Sequence, residues 1–375
     1  MMRTPLYDEH LRLGAKMTEF AGWEMPLYYS SIVREVGAVR SAAGIFDLSH
    51  MGELMISGPR ALDLVQLVTT NDASALEVGG AQYSLMCDEN GGIIDDLIVY
   101  RLDTDSYMLV VNAGNTHSDL QWVQEHNLAG ALCQNQTDDV GLIAIQGPAS
   151  QGVLQPLTGL DLNTLRRFTV KRGRVGDVCA WIARTGYTGE DGFELYCSSL
   201  DSLSLWRLVL EAGRAFGVEP TGLGARDVLR IEAGYPLYGH ELTRTRSPVD
   251  ARLLWVVKLA KGEFLGRQAI SQAKKRGPKQ LLVGLMAEER CIPRHGHEVG
   301  VNGAHVGRVT SGTFSPTLGK GIAMAYIEPE YEEDGTEVSV EIRGKPRVCR
   351  VVPIPFLSFR AKCAGHDQTD ERSCK

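Results

Sequence analysis

At 375 residues the chain is too long for one small core, and a hydrophobic fraction of 43% with a mean hydropathy of -0.12 belongs to a water-soluble globular protein of two or three domains. A formal charge of -7, with no basic tract longer than Lys274-Lys275-Arg276, argues against nucleic-acid binding as its main work. No run of about 18 apolar residues and no leader-type N-terminal core is present, so a bacterial cytoplasmic location is expected.

Along the chain, Thr4 before Pro5 predicts a helix N-cap with proline at the first position. Phe20-Ala-Gly-Trp-Glu-Met-Pro26 reads as an aromatic loop. Ile32, Val33, Val36, Val39 and Ala43 recur at helical spacing, so residues 32–43 are expected to form an amphipathic helix. Residues 45–56 read as one strand, and Gly58-Pro59 opens a helix of about ten residues.

The most heavily loaded stretch is Glu89-Asn-Gly-Gly-Ile-Ile-Asp95-Asp96-Leu-Ile-Val-Tyr100. Its Asn-Gly-Gly segment tolerates positive φ and makes a turn, and residues 93–101 then read as a β-branched strand. Side chains alternate along a strand. Ile94, Asp96, Ile98 and Tyr100 are therefore expected on one face and Asp95, Leu97, Val99 and Arg101 on the other, which keeps the two aspartates from forming one dyad. Residues 107–112 form the return strand of a hairpin; with its turn centred on Thr104, Asp96 faces Asn112 across the ladder. Spacing alone leaves two readings of these carboxylates open, a functional site and ordinary edge polars facing water.

Residues 117–128 form a further amphipathic helix, and the strand Gly141-Leu-Ile-Ala-Ile-Gln146 stops at Gly-Pro before another helix. The repeated order of strand, Gly-Pro and helix suggests two related α+β units. In Thr185-Gly-Tyr-Thr-Gly-Glu-Asp-Gly-Phe-Glu-Leu-Tyr196 neither GxGxxG nor a Walker lysine is present and Glu190-Asp191 would repel phosphate, so a turn between strands fits, with Glu194 on the outgoing strand. Helices follow at 202–216 and 222–234; in the second, Arg226, Asp227, Arg230 and Glu232 read either as a solvated charged face or as part of a site. Residues 272–279 read as a basic linker, after which short strands at regular spacing (281–287, 298–301, 304–310, 322–327, 337–342, 348–352) signal an all-β barrel or sandwich. The polar tail 361–375 is expected to be disordered. Eight scattered cysteines lack any C-x-x-C pair and read as reduced thiols, and His295, His297 and Cys291 read as a polar loop rather than a metal centre.

Six of these stretches together resemble the tetrahydrofolate-binding aminomethyltransferase family of the glycine cleavage system: Phe20-Ala-Gly-Trp-Glu-Met-Pro, Gly44-Ile-Phe-Asp-Leu-Ser-His-Met, Gly91-Gly-Ile-Ile-Asp-Asp-Leu-Ile-Val, Arg184-Thr-Gly-Tyr-Thr-Gly-Glu-Asp-Gly-Phe-Glu, Ala225-Arg-Asp-Val-Leu-Arg-Ile-Glu-Ala-Gly and Val309-Thr-Ser-Gly. The resemblance covers nearly the whole chain. It implies an α+β protein of three domains in a cloverleaf around a central folate cavity: 1–50 with 140–270, 51–139 carrying the Asp96 hairpin, and a C-terminal all-β barrel at 278–360. It implies transfer of the methylene of an aminomethyl-dihydrolipoyl carrier, the H-protein, to tetrahydrofolate, giving 5,10-methylenetetrahydrofolate, ammonia and the dihydrolipoyl protein, with no metal.

By the same resemblance Asp96 is the catalytic carboxylate, stabilising and steering an iminium-like cation; an ordinary carboxylate pKa of about 4 would make proton acceptance secondary. Glu194 is implied to accept from the pterin's NH groups and Arg226 to fix the folate. Tyr83, Met51, Tyr100, Val111 and Asn112 are implied to line the cavity, and Arg360 to meet the glutamyl carboxylate. The alternatives are a tetrahydrofolate-dependent demethylase of the same fold, acting on a methylated amine or sulfur compound, and a non-catalytic folate-binding regulator, against which the presence of Asp96 argues.

Overall fold

The computed structural model describes residues 1–128 and 130–357. Two sheets share one apolar core. The first has six strands in the order Val170–Val175, Val178–Ala183, Gly192–Ser198, Val140–Gln146, Gly44–Asp47 and Glu219–Pro220, all antiparallel except the last pair. The second is antiparallel throughout, with five strands in the order Ala81–Cys87, Ile93–Asp103, Ser106–Val111, Gly52–Ser57 and Leu132–Asn135.

The alternation of side chains explains why both sheets are buried on two sides. Leu142 and Ala144 of one sheet meet Tyr100, Met108 and Val110 of the other in the shared core. Ile143 and Ile145 point the opposite way, beneath the helix Ser202–Gly213 with its buried Leu205, Trp206 and Val209. Likewise Leu97, Val99, Leu109 and Val111 face the helices Ala61–Val68 and Thr116–Glu125. Each such buried aliphatic contributes about 1.5–3 kcal/mol.

The C-terminal strands close into a six-stranded barrel, ordered Leu281–Ala287, Lys320–Ile327, Ala304–Ser315, Glu298–Val301, Glu337–Ile342 and Lys345–Val352. The helix Leu223–Glu232 joins barrel to sheets. Its Ala225, Val228 and Leu229 enter the shared core, while Ile231 packs on Leu282, Ile322, Met324 and Tyr326 of the barrel. Arg230 is buried between them, donating to Asp227 at 2.8 Å, Glu241 at 3.0 Å and the Ser311 hydroxyl at 2.8 Å.

Several expectations change. Phe20–Pro26 is no loop but the bend of a hairpin between Lys16–Phe20 and Trp23–Tyr28, with Ala21 and Gly22 at positive φ making the turn. Residues 45–56 are two strands in different sheets, Gly44–Asp47 and Gly52–Ser57, because the chain turns at 48–51. Thr4 caps nothing: the helix is Tyr7–Arg12, and the Thr4 hydroxyl donates to buried Asp47 at 2.6 Å. The basic run at 274–276 is not linker but the last turn of the helix Arg267–Arg276, where cations suit the helix dipole. His295 and His297 each engage backbone through Nδ1, with Thr310 and Arg294 respectively. The tail 361–375 lies outside the described residues.

Replacing Arg230 by Ala would leave Glu241 as an uncompensated buried carboxylate. A loss of about 3–5 kcal/mol is expected, read from the midpoint of denaturant unfolding.

Candidate active site

The Ile93–Asp103 strand pairs with Ser106–Val111 with Ile98 opposite Val110, and that register carried outward sets Asp96 against Asn112, as the hairpin predicts. The Asn112 Nδ2 donates to Asp96 Oδ1 at 3.0 Å, and the Tyr83 hydroxyl to Asp96 Oδ2 at 3.0 Å. The same Nδ2 also reaches Asp95 Oδ1 at 2.8 Å. The two aspartates therefore leave the strand on opposite faces yet meet through one amide, which corrects the expectation that alternation keeps them from serving one site.

Asp95 is fully buried and collects further amides, Asn112 N at 3.0 Å and Asn115 Nδ2 at 2.8 Å. A second departure comes from a bulge: Met86 pairs with Asp95 but Cys87 with Ile93, so Ile94 is extra. It turns into the cluster with Leu97 instead of sharing the Asp96 face. The turn before it is held close. A Cβ on Gly92 would lie 2.0 Å from the Arg244 carbonyl oxygen, and the Ile93 N–H donates to the Arg246 carbonyl at 3.0 Å.

Burial, and after it the charge of Asp95, push the Asp96 carboxyl up to about 7, against the pull of its Tyr83 and Asn112 donors. A carboxyl poised there exchanges protons at neutral pH, so the premise of an ordinary acid near 4 does not hold.

Glu194, on the Gly192–Ser198 strand, receives the Thr185, Tyr100 (3.3 Å) and Tyr196 (3.4 Å) hydroxyls on Oε2, and no donor among the described residues reaches Oε1. The Arg226 guanidinium lies over the Tyr187 ring at 4.7 Å and has no hydrogen bond or ion pair among the described residues. Burial disfavours its charge, and Glu194 is among the groups that favour it. Tyr187 feels the charges of both Arg226 and Asp96, which ties the two parts of the site together.

Of the other expected residues, Tyr83 is half-buried and stacked on Trp255 with centroids 5.9 Å apart, and Met51 packs at the edge of the shared core. Tyr100 is fully buried and serves Glu194 through its hydroxyl. Val111 is not brought to the site: it lies in the core beneath the helices, while Val110 shares the Asp96 face. Parity along the strand contained that signal, since Asn112 and Val110 are two apart. Arg360 lies outside the described residues. Sequence reasoning missed Thr185, Tyr187, Tyr196, Asn115 and the exposed Trp255; the first two sit inside the glycine-rich motif, from which only Glu194 was singled out.

Asp95→Asn removes the neighbouring charge while keeping shape. The Asp96 midpoint is expected to fall by about one unit or more in a carboxyl-detected NMR titration.

Three comparisons bear on this arrangement. Residues 6–261 match the GCVT N-terminal domain, and residues 280–357 match the glycine cleavage T-protein C-terminal barrel domain. The chain is 50% identical over 364 residues to the aminomethyltransferase of Symbiobacterium thermophilum, covering 95% of this chain and 97% of that one. It is 47% identical over 358 residues to the aminomethyltransferase of Bacillus subtilis, with 95% and 99% covered. Among solved structures, the glycine cleavage system aminomethyltransferase T of Bartonella henselae superposes with a TM-score of 0.90 at 36% identity, over 96% of this chain and 99% of that one.

Proposed function

The chain belongs to the glycine cleavage T-protein family and is an aminomethyltransferase of the glycine cleavage system; from that premise we propose that its acceptor is tetrahydrofolate, that its donor is the lipoylated H-protein, and that Asp96 is its catalytic carboxylate. The observation that carries the reading is Asp96 itself, a half-buried acid with fixed Tyr83 and Asn112 donors. Two further groups are left available for a ligand, Glu194 Oε1 and the Arg226 guanidinium, and Tyr187, on whose ring Arg226 lies, also feels the charge of Asp96.

The residues fit a folate. Three hydroxyls orient Glu194 through Oε2, so that Oε1 remains free to accept from the amino and ring NH groups of a pterin. Arg226 supplies the cation for the anionic portion of the ligand. The bound folate supplies the nucleophilic nitrogen.

The aminomethyl carbon leaves the lipoyl sulfur with iminium character as the C–S bond breaks, the sulfur departing as a thiolate that takes up a proton; one folate nitrogen bonds to that carbon, and a second then displaces its amino group as ammonia, closing the methylene bridge. An anion beside that carbon, preorganised by two donors, lowers the energy of the developing cation. With its pKa near 7, Asp96 also accepts the proton that the attacking nitrogen loses, and both roles need the carboxylate form. Asn112 keeps it aimed. No helix among the described residues is long and apolar enough to cross a membrane, and the location we propose is the cytoplasm.

Ammonia release from an aminomethylated lipoyl carrier, followed with and without tetrahydrofolate, tests the reading. Asp96→Asn is expected to lose folate-dependent release by roughly 100- to 10,000-fold while still binding folate. Glu194→Gln is expected to act on the KM for folate. Release that stays folate-dependent at the wild-type rate in Asp96→Asn would remove Asp96 from the reaction.

A further inference from the structure

The first turn of the helix Thr116–Glu125 holds a carboxyl that the chemistry above does not use. Asp119 is completely buried, and neither of its oxygens meets an N–H or O–H donor among the described residues. Its N–H donates to the Asn115 carbonyl at 2.8 Å, the Asn115 side chain donates in turn to Asp95, the carboxyl behind Asn112, and the charge of Asp95 weighs on it. Two carboxylates held this near in a dry interior cannot both be ionised, so one of them carries a proton.

The donors decide which. Asp95 already holds three amide N–H groups, from Asn112 N, Asn112 Nδ2 and Asn115 Nδ2. It also lies beside a helix N-terminus, where negative charge is favoured. Asn115 is the N-cap residue of that helix, yet its side chain does not cap it and turns to Asp95 instead. Asp119 shares the helix N-terminus but has no N–H or O–H donor among the described residues. The charge therefore resides on Asp95 and the proton on Asp119, whose burial, followed by the neighbouring charge, holds it well above the usual carboxylate range.

The other charged or titratable groups facing the pair are few. Asp96 stands on the same strand as Asp95, and Arg244 and Tyr238 come from the connecting segment at 238–246. Arg244 is exposed, and it is the cation whose field reaches Asp119.

We propose that Asp119 is a positioning residue for the transfer reaction: a permanently neutral acid that donates its hydrogen to Asp95 and, through Asp95 and Asn112, fixes the direction and the charge of Asp96. This rests on the reading of Asp96 as catalytic. Asp95 held as an anion keeps the Asn112 amide bridging both carboxyls and raises the proton affinity of Asp96. Without the Asp119 hydrogen, Asp95 loses a donor and takes up a proton more readily, so its effect on Asp96 weakens.

Wild type, Asp119→Asn and Asp119→Ala are compared in two ways. Infrared spectroscopy at about pH 8, where ordinary carboxyls are ionised, is expected to show in the wild-type minus Asp119→Asn difference spectrum a neutral carboxyl stretch of Asp119, separate from that of the buried and unpartnered Glu53. In the pH profile of kcat/KM, Asp119→Ala is expected to lose roughly 10- to 100-fold and to move the acid limb to lower pH. Asp119→Asn, whose amide still donates to Asp95, should recover most of that loss and return the limb to its wild-type place.

Absence of a neutral carboxyl band from that difference spectrum overturns the proposal. So does an Asp119→Ala loss that is uniform with pH and not recovered by Asn. If Asp119→Ala does not fold, the infrared band decides alone. Because that band does not depend on turnover, a failure of Asp96 as the catalytic group would show separately, as wild-type transfer by Asp96→Asn with the Asp119 band intact.

Discussion

One amide group organises the candidate site of this protein. Asn112 Nδ2 lies 2.8 Å from Asp95 and 3.0 Å from Asp96, so a single planar group sets the spacing and direction of two carboxyls in a buried place. Buried charge is costly unless it is hydrogen-bonded, and the surroundings meet that demand unequally. Asp95 takes three amide donors, whereas Asp96 has one amide and one phenol. The inequality separates their roles: three amides favour the charge of Asp95 against the burial that pushes its carboxyl up, and Asp96 is able to exchange a proton near neutrality.

The rest of the fold exists to keep that site in register. Two sheets are covered on their outer faces by helices and closed against each other on their inner ones, which leaves Asp96 and Glu194 on strands backed by rigid cores. The helix Leu223–Glu232 binds the sheets to the barrel and carries Arg226, so the cation's position depends on packing at both of its sides. Functional side chains on strands and helices are placed more tightly than side chains on loops. The turn at Gly91-Gly92 is an exception that proves costly to alter, because the segment at 244–246 rests directly on it.

Much of this was legible in the chain. The hairpin from 93 to 112 followed from β-branched residues and a polar turn, and its register placed Asn112 opposite Asp96 correctly. The barrel strands were legible because short alternating runs between turns have few other solutions, and the α+β class with its closed C-terminal barrel is what the structure has. Local period could not reveal the bulge at Ile94, which depends on how the Ala81–Cys87 strand pairs. Nor could it reveal Asp119: an acid in a helix's first turn is ordinary, and only tertiary packing brings it onto Asp95. Val111 was misplaced although strand parity already favoured Val110, so that error was one of inference rather than of missing information. The basic turn at 274–276 resembled a linker because charge and a following Gly-Pro outweighed the buried Ile270 and Ala273 that hold its helix down.

The claim on which everything else turns is that Asp96 works as a carboxylate whose ionisation lies near neutral pH. Single-turnover methylene transfer, measured in the wild type from about pH 5 to 9 with carrier and folate saturating, examines it directly. The rate is expected to fall as pH drops through about 7, because protonation removes the anion that the transfer requires. A rate that holds level down to about pH 5 would contradict it, showing either that Asp96 ionises as an exposed carboxylate does or that its charge does not govern the chemistry.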